Sequence, residues 1–465
     1  MRTVMSLVVN SVLSISLVAT AYADQSELII NTEIRGPVLS FDWPELEIGV
    51  GSYEAGPTGL TIFRFRNQAS VVVDVRGGSP GTTNTDVLRL GYDRPAFTDA
   101  IVFSGGALYG EETITAVATA LKDDRIRSGR WDNIAFVPGA VIFDFGERRP
   151  NEIYPDKRLA QAAWRALRTG VFPLGAQGAG RMAMQGGFFG CDAHSGQGGA
   201  FRQIGWSGKT KIAAFVVVNA WGAVTDRTGQ LVRCDRGRSW TTSTNVSDLL
   251  RNLPDSLDEY WKPTEAKEKS GAATTKNTTI SLVVTNRKMS FWELQRMATQ
   301  VHTSMGRAIQ PFATDNDGDT LFAASTQEIE DKSLDSATFG AIAAETMWDA
   351  ILASVPDEPQ FVPPSTPIVL DPDTLARYAG MYAFGQTATL RVRIENGELL
   401  VQLKEGDVHG LSYNPTVFIP KSESEFYVDK RHPTRIAFTS DASGKVIGMT
   451  INPGLWELTG SRVPE

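Results

Sequence analysis

The chain has 465 residues, and its 53 acidic and 45 basic side chains give a formal net charge of −8. This acidic balance argues against nucleic acid as a partner. The length allows two or three domains with ample hydrophobic core. Because only two cysteines and four histidines occur, zinc sites and histidine-based catalytic triads have few candidates. We expect no metal and no cofactor.

The first 23 residues have the pattern of a secretion signal. Arg2 supplies a positive charge, residues 4–18 are mostly apolar, and Ala21-Tyr22-Ala23 is an A-x-A cleavage site. The apolar run is too short and too polar to span a bilayer, and no later segment reaches the roughly 18 apolar residues that a membrane span needs. We therefore expect residues 1–23 to be a signal peptide, with no membrane span and a periplasmic or secreted mature protein.

Residues 24–355 predict one large α/β domain, because strand-length apolar runs alternate with segments of helical periodicity. The third helix has a capping box at its start, formed by Ser290 and Glu293. The predicted strands are 60–65, 70–75, 100–103, 140–143 and 212–218, and the predicted helices are 111–121, 157–167, 290–309 and 338–352.

The character of the sequence changes after the fourth helix. Five prolines occur between positions 356 and 367, which no helix or central strand can accommodate. We place a proline-rich linker at 356–369. Residues 370–465 contain short alternating segments separated by turn sequences such as Glu395-Asn396-Gly397, which predicts a small antiparallel β domain, a barrel or a meander.

A polar turn leads directly into an apolar strand at residues 276–285. A threonine at such a junction can be the nucleophile of a self-cleaving hydrolase, whose hydroxyl attacks the carbonyl of the preceding residue. The new α-amine, with a pKa of about 8, then serves as the base for the hydroxyl. The alternative is a threonine-rich strand start, because β-branched residues favour strands. These ten residues alone leave both interpretations open.

The chain has three glycine-rich turns, of which the first two follow predicted strands, and none ends in the G-K-[ST] of a phosphate loop. With three other stretches they form an ordered set that resembles the self-processing aminopeptidase family typified by L-aminopeptidase/D-amino-acid esterase-amidase. That family also includes β-aminopeptidases and nylon-oligomer hydrolases, and the resemblance covers most of residues 35–327. The stretches are 74–82, 104–107, 138–144, 175–181, 218–222 and Asn277-Thr278-Thr279.

The resemblance implies a four-layer αββα sandwich of the N-terminal-nucleophile aminopeptidase type, cleaved between Asn277 and Thr278. Thr278 matches the nucleophile, and Asn219 matches the residue whose amide stabilises the developing oxyanion. Asp317 and Asp319 match an acidic pair that orients the hydroxyl and amine of the nucleophile. The resemblance further implies a homo-oligomer of processed α/β heterodimers.

Other interpretations of these residues remain open. Asn219 at a strand end is equally suited to cap the strand. The acidic stretch 315–320 is compatible with a solvated turn or a calcium loop, although an EF-hand needs glycine at the sixth place, where Thr320 stands.

One feature departs from the family pattern. Related enzymes usually carry lysines a few residues after the third glycine turn, and one is thought to support catalysis. Here residues 185–190 contain no lysine. Arg181 and Lys209 are the candidate substitutes.

The two cysteines, Cys191 and Cys234, form either one disulfide in an oxidising compartment or two separately buried thiols. The insertion 191–200 is atypical of the family. We expect His194 within it to be a surface loop residue.

The leading hypothesis is an exported N-terminal-threonine hydrolase, an aminopeptidase or amidase that cleaves short peptides or amino-acid amides. One alternative is an endo-amidase of the nylon-oligomer type, and another is a non-catalytic periplasmic binding protein, which the missing lysine motivates. Residues 370–465 resemble a small β-rich domain appended to exported serine β-lactamase-type proteins. A β-lactamase-type serine enzyme is disfavoured, because no serine in the chain has lysine three places on.

Overall fold

A computed structural model describes most of the chain beyond the predicted signal peptide. No helix in this part of the chain is long and apolar enough to cross a membrane. The predicted signal peptide and most of the predicted linker lie outside the described residues. These residues are 28–91, 97–145, 152–189, 191, 193–204, 208–234, 244–253, 277–356, 368–385, 388–406, 408, 411, 413–428, 434–452 and 457–464.

The strands of the large domain are β1 Ile30–Asn31, β2 Val38–Ser40, β3 Leu46–Tyr53, β4 Thr58–Val75, β5 Thr82–Thr83, β6 Thr98–Ser104, β7 Gly139–Val141, β8 Arg168–Thr169, β9 Val171–Pro173, β10 Met184–Gln185, β11 Ala193–His194, β12 Gln197–Ile204, β13 Thr210–Asn219, β14 Ala223–Val224, β15 Thr278–Arg287, β16 Ile309–Gln310 and β17 Thr320–Ile329. Its helices are α1 Asp86–Leu90, α2 Glu112–Asp123, α3 Lys157–Arg165, α4 Val246–Arg251, α5 Phe291–Ser304 and α6 Ser336–Ala353, with 3-10 turns at Ala107–Glu111, Gly178–Gly180, Gly187–Phe189 and Met305–Arg307.

The long strand β4 belongs to two sheets. Its first half pairs with β3 and β6, and its second half pairs with β17. From β17 the second sheet continues through β15 and β13 to β12. Strand β15 is parallel to β17 and antiparallel to β13. All ten residues of β15 are buried, as expected for a β-branched apolar run covered on both faces.

Three hydrophobic clusters separate four layers. Between the sheets lies an aromatic core in which the Phe63 ring is 5.0 Å from Phe103 and 5.1 Å from Phe215. Helices α2 and α3 cover the outer face of the first sheet, where Ile114, Val117 and Leu159 pack. Helices α5 and α6 cover the second sheet in the same way. The predicted αββα sandwich is therefore confirmed.

The predicted capping box at the start of α5 is present, since Glu293 N donates to Ser290 Oγ and Ser290 N donates to Glu293 Oε2. The helix ends earlier than predicted, at Ser304. A 3-10 turn and strand β16 occupy the rest of the predicted helical segment.

The C-terminal segment begins with α7 Pro372–Ala376 and continues as a closed antiparallel barrel, which decides between the barrel and the meander. Buried residues alternate with partly exposed ones along β19. Asn396 and Gly397 join β19 to β20 with φ of 53° and 81°, the positive values that a two-residue hairpin of type I′ needs. The strands are β18 Gly380–Phe384, β19 Ala388–Glu395, β20 Glu398–Gly406, β21 Thr416–Pro420, β22 Glu425–Tyr427, β23 Arg435–Ser440, β24 Val446–Ile451 and β25 Leu458–Val463.

The barrel has its own hydrophobic core. Among the described residues, its buried cluster runs from Leu375 to Ile451 and includes no residue of the large domain. We therefore predict that a chain truncated after Asp357 folds, retains the self-cleavage expected at Asn277–Thr278 and hydrolyses a small aminoacyl amide. Gel electrophoresis and an amidase assay would test this, and an insoluble or uncleaved truncation would show that the boundary is wrong.

Candidate active site

Thr278 is the first residue of β15, and the chain is continuous from Asn277 into it. The Thr278 hydroxyl donates to the carbonyl oxygen of Asn277 across 2.6 Å. Both residues are buried, each 4% exposed. The side chain predicted to be the nucleophile therefore lies directly against the carbonyl group that it is predicted to attack.

The Asn277 backbone continues the parallel pairing of β15 with the segment that leads into β17. Asn277 N donates to Asn316 O at 3.3 Å, and Asn277 O accepts from Gly318 N at 2.9 Å. A backbone amide thus already polarises the carbonyl of the predicted cleavage site. Gly318 has no room for a side chain, since a Cβ would lie 2.7 Å from both Thr278 Oγ1 and Ser79 O.

Asn219 is the last residue of β13 and lies opposite Thr278 in the antiparallel register. Its side chain is fully buried. The amide Nδ2 donates to Phe143 O at 3.0 Å, and Oδ1 accepts from Met184 N at 3.2 Å. In the uncleaved chain, the Asn219 side chain thus links the end of β13 to the segments of Phe143 and Met184, as a capping residue would. Its place opposite Thr278 is also compatible with the predicted oxyanion role.

The two predicted acidic residues flank Gly318 and are both buried. Asp319 accepts from Thr279 N at 2.7 Å and from Ala313 N at 2.9 Å. Its bonds hold the residue directly after the nucleophile. Burial, and next the neighbouring Asp317 carboxylate, raise the pKa of Asp319 to about 8, although its two N–H donors act in the opposite direction.

Asp317 binds a different set of partners. It accepts from Trp221 N at 3.2 Å and from the Thr314 hydroxyl at 2.6 Å. Burial raises its pKa as well. Both carboxyls therefore bind protein donors. Among the described residues, no group of three or more His, Cys, Asp or Glu side chains is arranged to hold a metal ion.

The first glycine-rich turn packs against the acidic loop. Gly77 N donates to Asp319 O at 3.2 Å, and Ser79 N donates to Asp317 O at 2.9 Å. A Cβ on Gly77 would lie 2.2 Å from Asp319 N, so only glycine fits. Residues 77–81 also have G-x-S-x-G spacing, but the Ser79 hydroxyl donates to Asp315 O. This turn supports the site and supplies no nucleophile of its own.

The second glycine turn is held by the aspartate that ends the stretch 138–144. Asp144 accepts from Gly106 N at 2.8 Å and from the Thr58 hydroxyl at 2.7 Å. A Cβ on Gly105 would lie 2.4 Å from Asp144 Oδ2. Asp144 is therefore a fully buried anchor for this turn, one residue after the Phe143 carbonyl that binds Asn219.

The structure distinguishes between the candidate substitutes for the family lysine. Lys209 precedes β13, whose far end carries Asn219, so about 30 Å of strand separates it from the site. Arg181 pairs with Glu54. In the stretch 185–190, which lacks the family lysine, Gln185 accepts from Val224 N and donates to Arg233 O, and it is buried. The length of β13 therefore excludes Lys209 as a substitute for the family lysine.

Cys191 and Cys234 are bonded as a disulfide. The segment just before Cys191 contacts the segment after Asn219, since Phe188 N donates to Trp221 O at 2.7 Å. Trp221 lies within the loop that the disulfide closes, and its N–H binds Asp317, so this loop supports the acidic pair. The expectation for His194 was wrong, because it lies in β11 with only 4% exposed.

The structure thus brings Thr278, Asn219, Asp317 and Asp319 together at one end of β15. The sequence did not predict the part played by the backbone groups of Asn316 and Gly318, because main-chain donors and acceptors have no side-chain signature. The available signal was the glycine between the two aspartates.

Comparisons with known proteins identify the family of the large domain. Residues 42–357 match the model of peptidase family S58, and residues 365–461 match a domain of unknown function (DUF3471). The 6-aminohexanoate-oligomer endohydrolase of Paenarthrobacter ureafaciens is 39% identical over 68% of this chain and 85% of its own length. An uncharacterized aminopeptidase of Mycobacterium leprae is 32% identical over 62% of this chain and 75% of its own length.

Solved structures are also similar. A beta-aminopeptidase of Burkholderia sp. superposes with a TM-score of 0.48 at 16% identity, covering 69% of this chain and 89% of that one. The l-aminopeptidase d-ala-esterase/amidase of Ochrobactrum anthropi gives a TM-score of 0.48 at 15% identity, covering 70% and 88%. On the family match and the identity to its relatives, the chain belongs to peptidase family S58.

Proposed function

We propose that this hydrolase is exported, cleaves itself between Asn277 and Thr278, and then uses the new N-terminal threonine to hydrolyse short peptides or amino-acid amides. The observation that supports this most directly is the 2.6 Å contact between the Thr278 hydroxyl and the Asn277 carbonyl oxygen. Because the hydroxyl is already held beside the carbonyl group of the preceding residue, the entropy cost of bringing the two groups together is paid by the fold, and this cost is a large part of the barrier to attack.

Self-cleavage proceeds in two balanced steps. A bond forms between Thr278 Oγ1 and the Asn277 carbonyl carbon, the bond from that carbon to Thr278 N breaks, and the hydroxyl proton passes to the nitrogen. Water then cleaves the ester, which leaves a carboxyl group on Asn277 and restores the Thr278 hydroxyl. The free α-amine of Thr278 is now beside that hydroxyl and accepts its proton in each later turnover.

The acidic pair suits the change in charge that cleavage produces. In the uncleaved chain, the raised pKa of Asp319 favours the protonated form of its carboxyl. Cleavage creates an α-amine on Thr278, the residue next to the Thr279 N–H that binds Asp319. When this amine is protonated, its positive charge favours the ionised form of the Asp319 carboxyl. Asp319 is then a counter-ion for the new amine, and Asp317 holds the Trp221 backbone beside it.

Two other functions remain as alternatives. The 39% identity to a 6-aminohexanoate-oligomer endohydrolase favours an endo-acting amidase as the second candidate. A non-catalytic binding protein on the same fold is motivated by the absence of a lysine in the stretch 185–190. Self-cleavage and turnover distinguish this last alternative from the two enzymes.

The first prediction concerns the cleavage site. Purified protein is expected to run as two pieces on a denaturing gel, and N-terminal sequencing of the C-terminal piece should read Thr-Thr-Ile-Ser. Thr278→Val should remain a single chain because it keeps the shape and removes the hydroxyl. Thr279→Val is the matched control, since it makes the same change one residue later and keeps both the Thr278 hydroxyl and the Thr279 N–H that binds Asp319. Intact wild-type protein, or a sequence that starts at Thr279, would contradict the proposal.

The second prediction concerns Asn219. If its amide stabilises the oxyanion, Asn219→Ala should lose about 3 kcal/mol of transition-state stabilisation, roughly a hundredfold in kcat. Steady-state kinetics would measure the loss, and thermal unfolding would show whether the fold persists. A soluble, stable variant with unchanged kcat would assign Asn219 to the cap that its bonds to Phe143 and Met184 form.

The third prediction concerns the acidic pair. Each aspartate accepts hydrogen bonds on both carboxyl oxygens, and asparagine offers only one acceptor oxygen at nearly the same shape. Asp317→Asn and Asp319→Asn are therefore each expected to slow both self-cleavage and turnover. A time course on gels and an amidase assay measure the two rates. Activity that a chelator abolishes and added calcium restores would instead make these carboxylates metal ligands.

A further inference from the structure

Asn277 carries the carbonyl group that the Thr278 hydroxyl is proposed to attack, so it is the acyl residue of the self-cleavage reaction. Its N–H donates to Asn316 O and its carbonyl accepts from Gly318 N, the two bonds that a paired strand residue makes. The Asn277 residue is almost completely enclosed. Asn316 O and Gly318 N, which we call the acyl edge, therefore form a preorganised binding edge for one residue in extended conformation.

The chemistry connects this edge to substrate. The ester formed in self-cleavage joins an acyl group to Thr278 Oγ1 beside a free α-amine, and an acyl-enzyme formed from substrate has the same linkage at the same atom. Whatever holds the acyl residue in the first ester is therefore placed to hold it in every later one. This inference rests on the self-cleavage and N-terminal threonine proposed above.

We propose that the acyl edge binds the acyl residue of the substrate. The substrate carbonyl oxygen would accept from Gly318 N–H, and the N–H on the α-carbon of the acyl residue would donate to Asn316 O. The substrate class is then an amide whose acyl residue is an α-amino acid. Because the chain continues ahead of Asn277 during self-cleavage, the edge accepts an acyl residue whose nitrogen carries a further acyl group. The enzyme therefore acts within peptidyl amides as well as on free aminoacyl amides.

Glycine at position 318 is a requirement of this arrangement. A Cβ there would lie 2.7 Å from Thr278 Oγ1 and 3.1 Å from Thr278 Cγ2, between the nucleophile and the amide that holds the carbonyl. The backbone oxygen of Ser79 would also lie only 2.7 Å from this Cβ, so the added methyl group has no space on that side either. The loop cannot move away easily, because Ser79 N and Gly77 N are bonded to the two residues that flank Gly318.

Paired substrates test the Asn316 bond with wild-type enzyme. N-acetylalanine p-nitroanilide carries the N–H, and O-acetyllactic acid p-nitroanilide replaces that N–H with oxygen at nearly unchanged shape. The proposal expects kcat/KM to fall about 5- to 10-fold with the oxygen compound, the value of one hydrogen bond. It also expects N-acetylalanine p-nitroanilide to be hydrolysed at least as efficiently as alanine p-nitroanilide. Equal rates for the matched pair, or hydrolysis of the free-amine compound alone, would overturn it.

A glycine pair tests the carbonyl bond. Gly318→Ala is expected to slow self-cleavage at least a hundredfold while the chain stays folded by thermal unfolding. Gly129→Ala is the control, because a Cβ there meets no atom within 4 Å. A Gly318→Ala protein that cleaves itself at the control rate would overturn the proposal. If wild-type protein cleaves itself but hydrolyses the N–H and oxygen substrates equally well, only the acyl-edge proposal is overturned. If wild-type protein neither cleaves itself nor hydrolyses any amide, the proposed function is overturned too.

Discussion

The parallel pairing of β15 with β17 is the constraint on which the candidate site depends. It sets Ile280 beside Thr320 and, three residues earlier on each strand, Asn277 beside Asp317. The same register places the carbonyl of Asn277 on Gly318 N and the N–H of Thr279 on Asp319. A shift of one residue would break both bonds and turn the Thr278 side chain to the opposite face of the sheet. Burial of β15 on both faces makes such a shift costly.

Around this register, the sequence motifs act mainly as supports. The first glycine turn lets backbone approach the acidic loop closely, and Asp144 anchors the second turn beside the segment that binds Asn219. The disulfide loop reaches the acidic pair through Trp221. The chemistry expected from the family therefore needs few reactive side chains but a closely held backbone, in keeping with electrostatic preorganisation as a source of catalysis.

The sequence predicted an α/β domain and the nucleophile strand because hydrophobic periodicity and a polar-to-apolar junction are local signals. The αββα order and the four proposed site residues followed from the family resemblance. Register could not be predicted, since the pairing of Asn219 with Thr278 depends on contacts between distant segments. The burial of His194 and the remoteness of Lys209 are likewise tertiary facts. Gly318 was overlooked because its contribution comes from the main chain.

The strand order has a consequence for the cleaved molecule. Across the second sheet, β13 and β4 come from the chain before Asn277, while β15 and β17 come from the chain after it. The two products of cleavage would thus be interleaved, with two strands of one inserted between two strands of the other. Separating them would require breaking ladders on both sides and exposing the buried β15. Such a heterodimer would behave on dilution as a single cooperative unit, whose parts are inseparable short of unfolding.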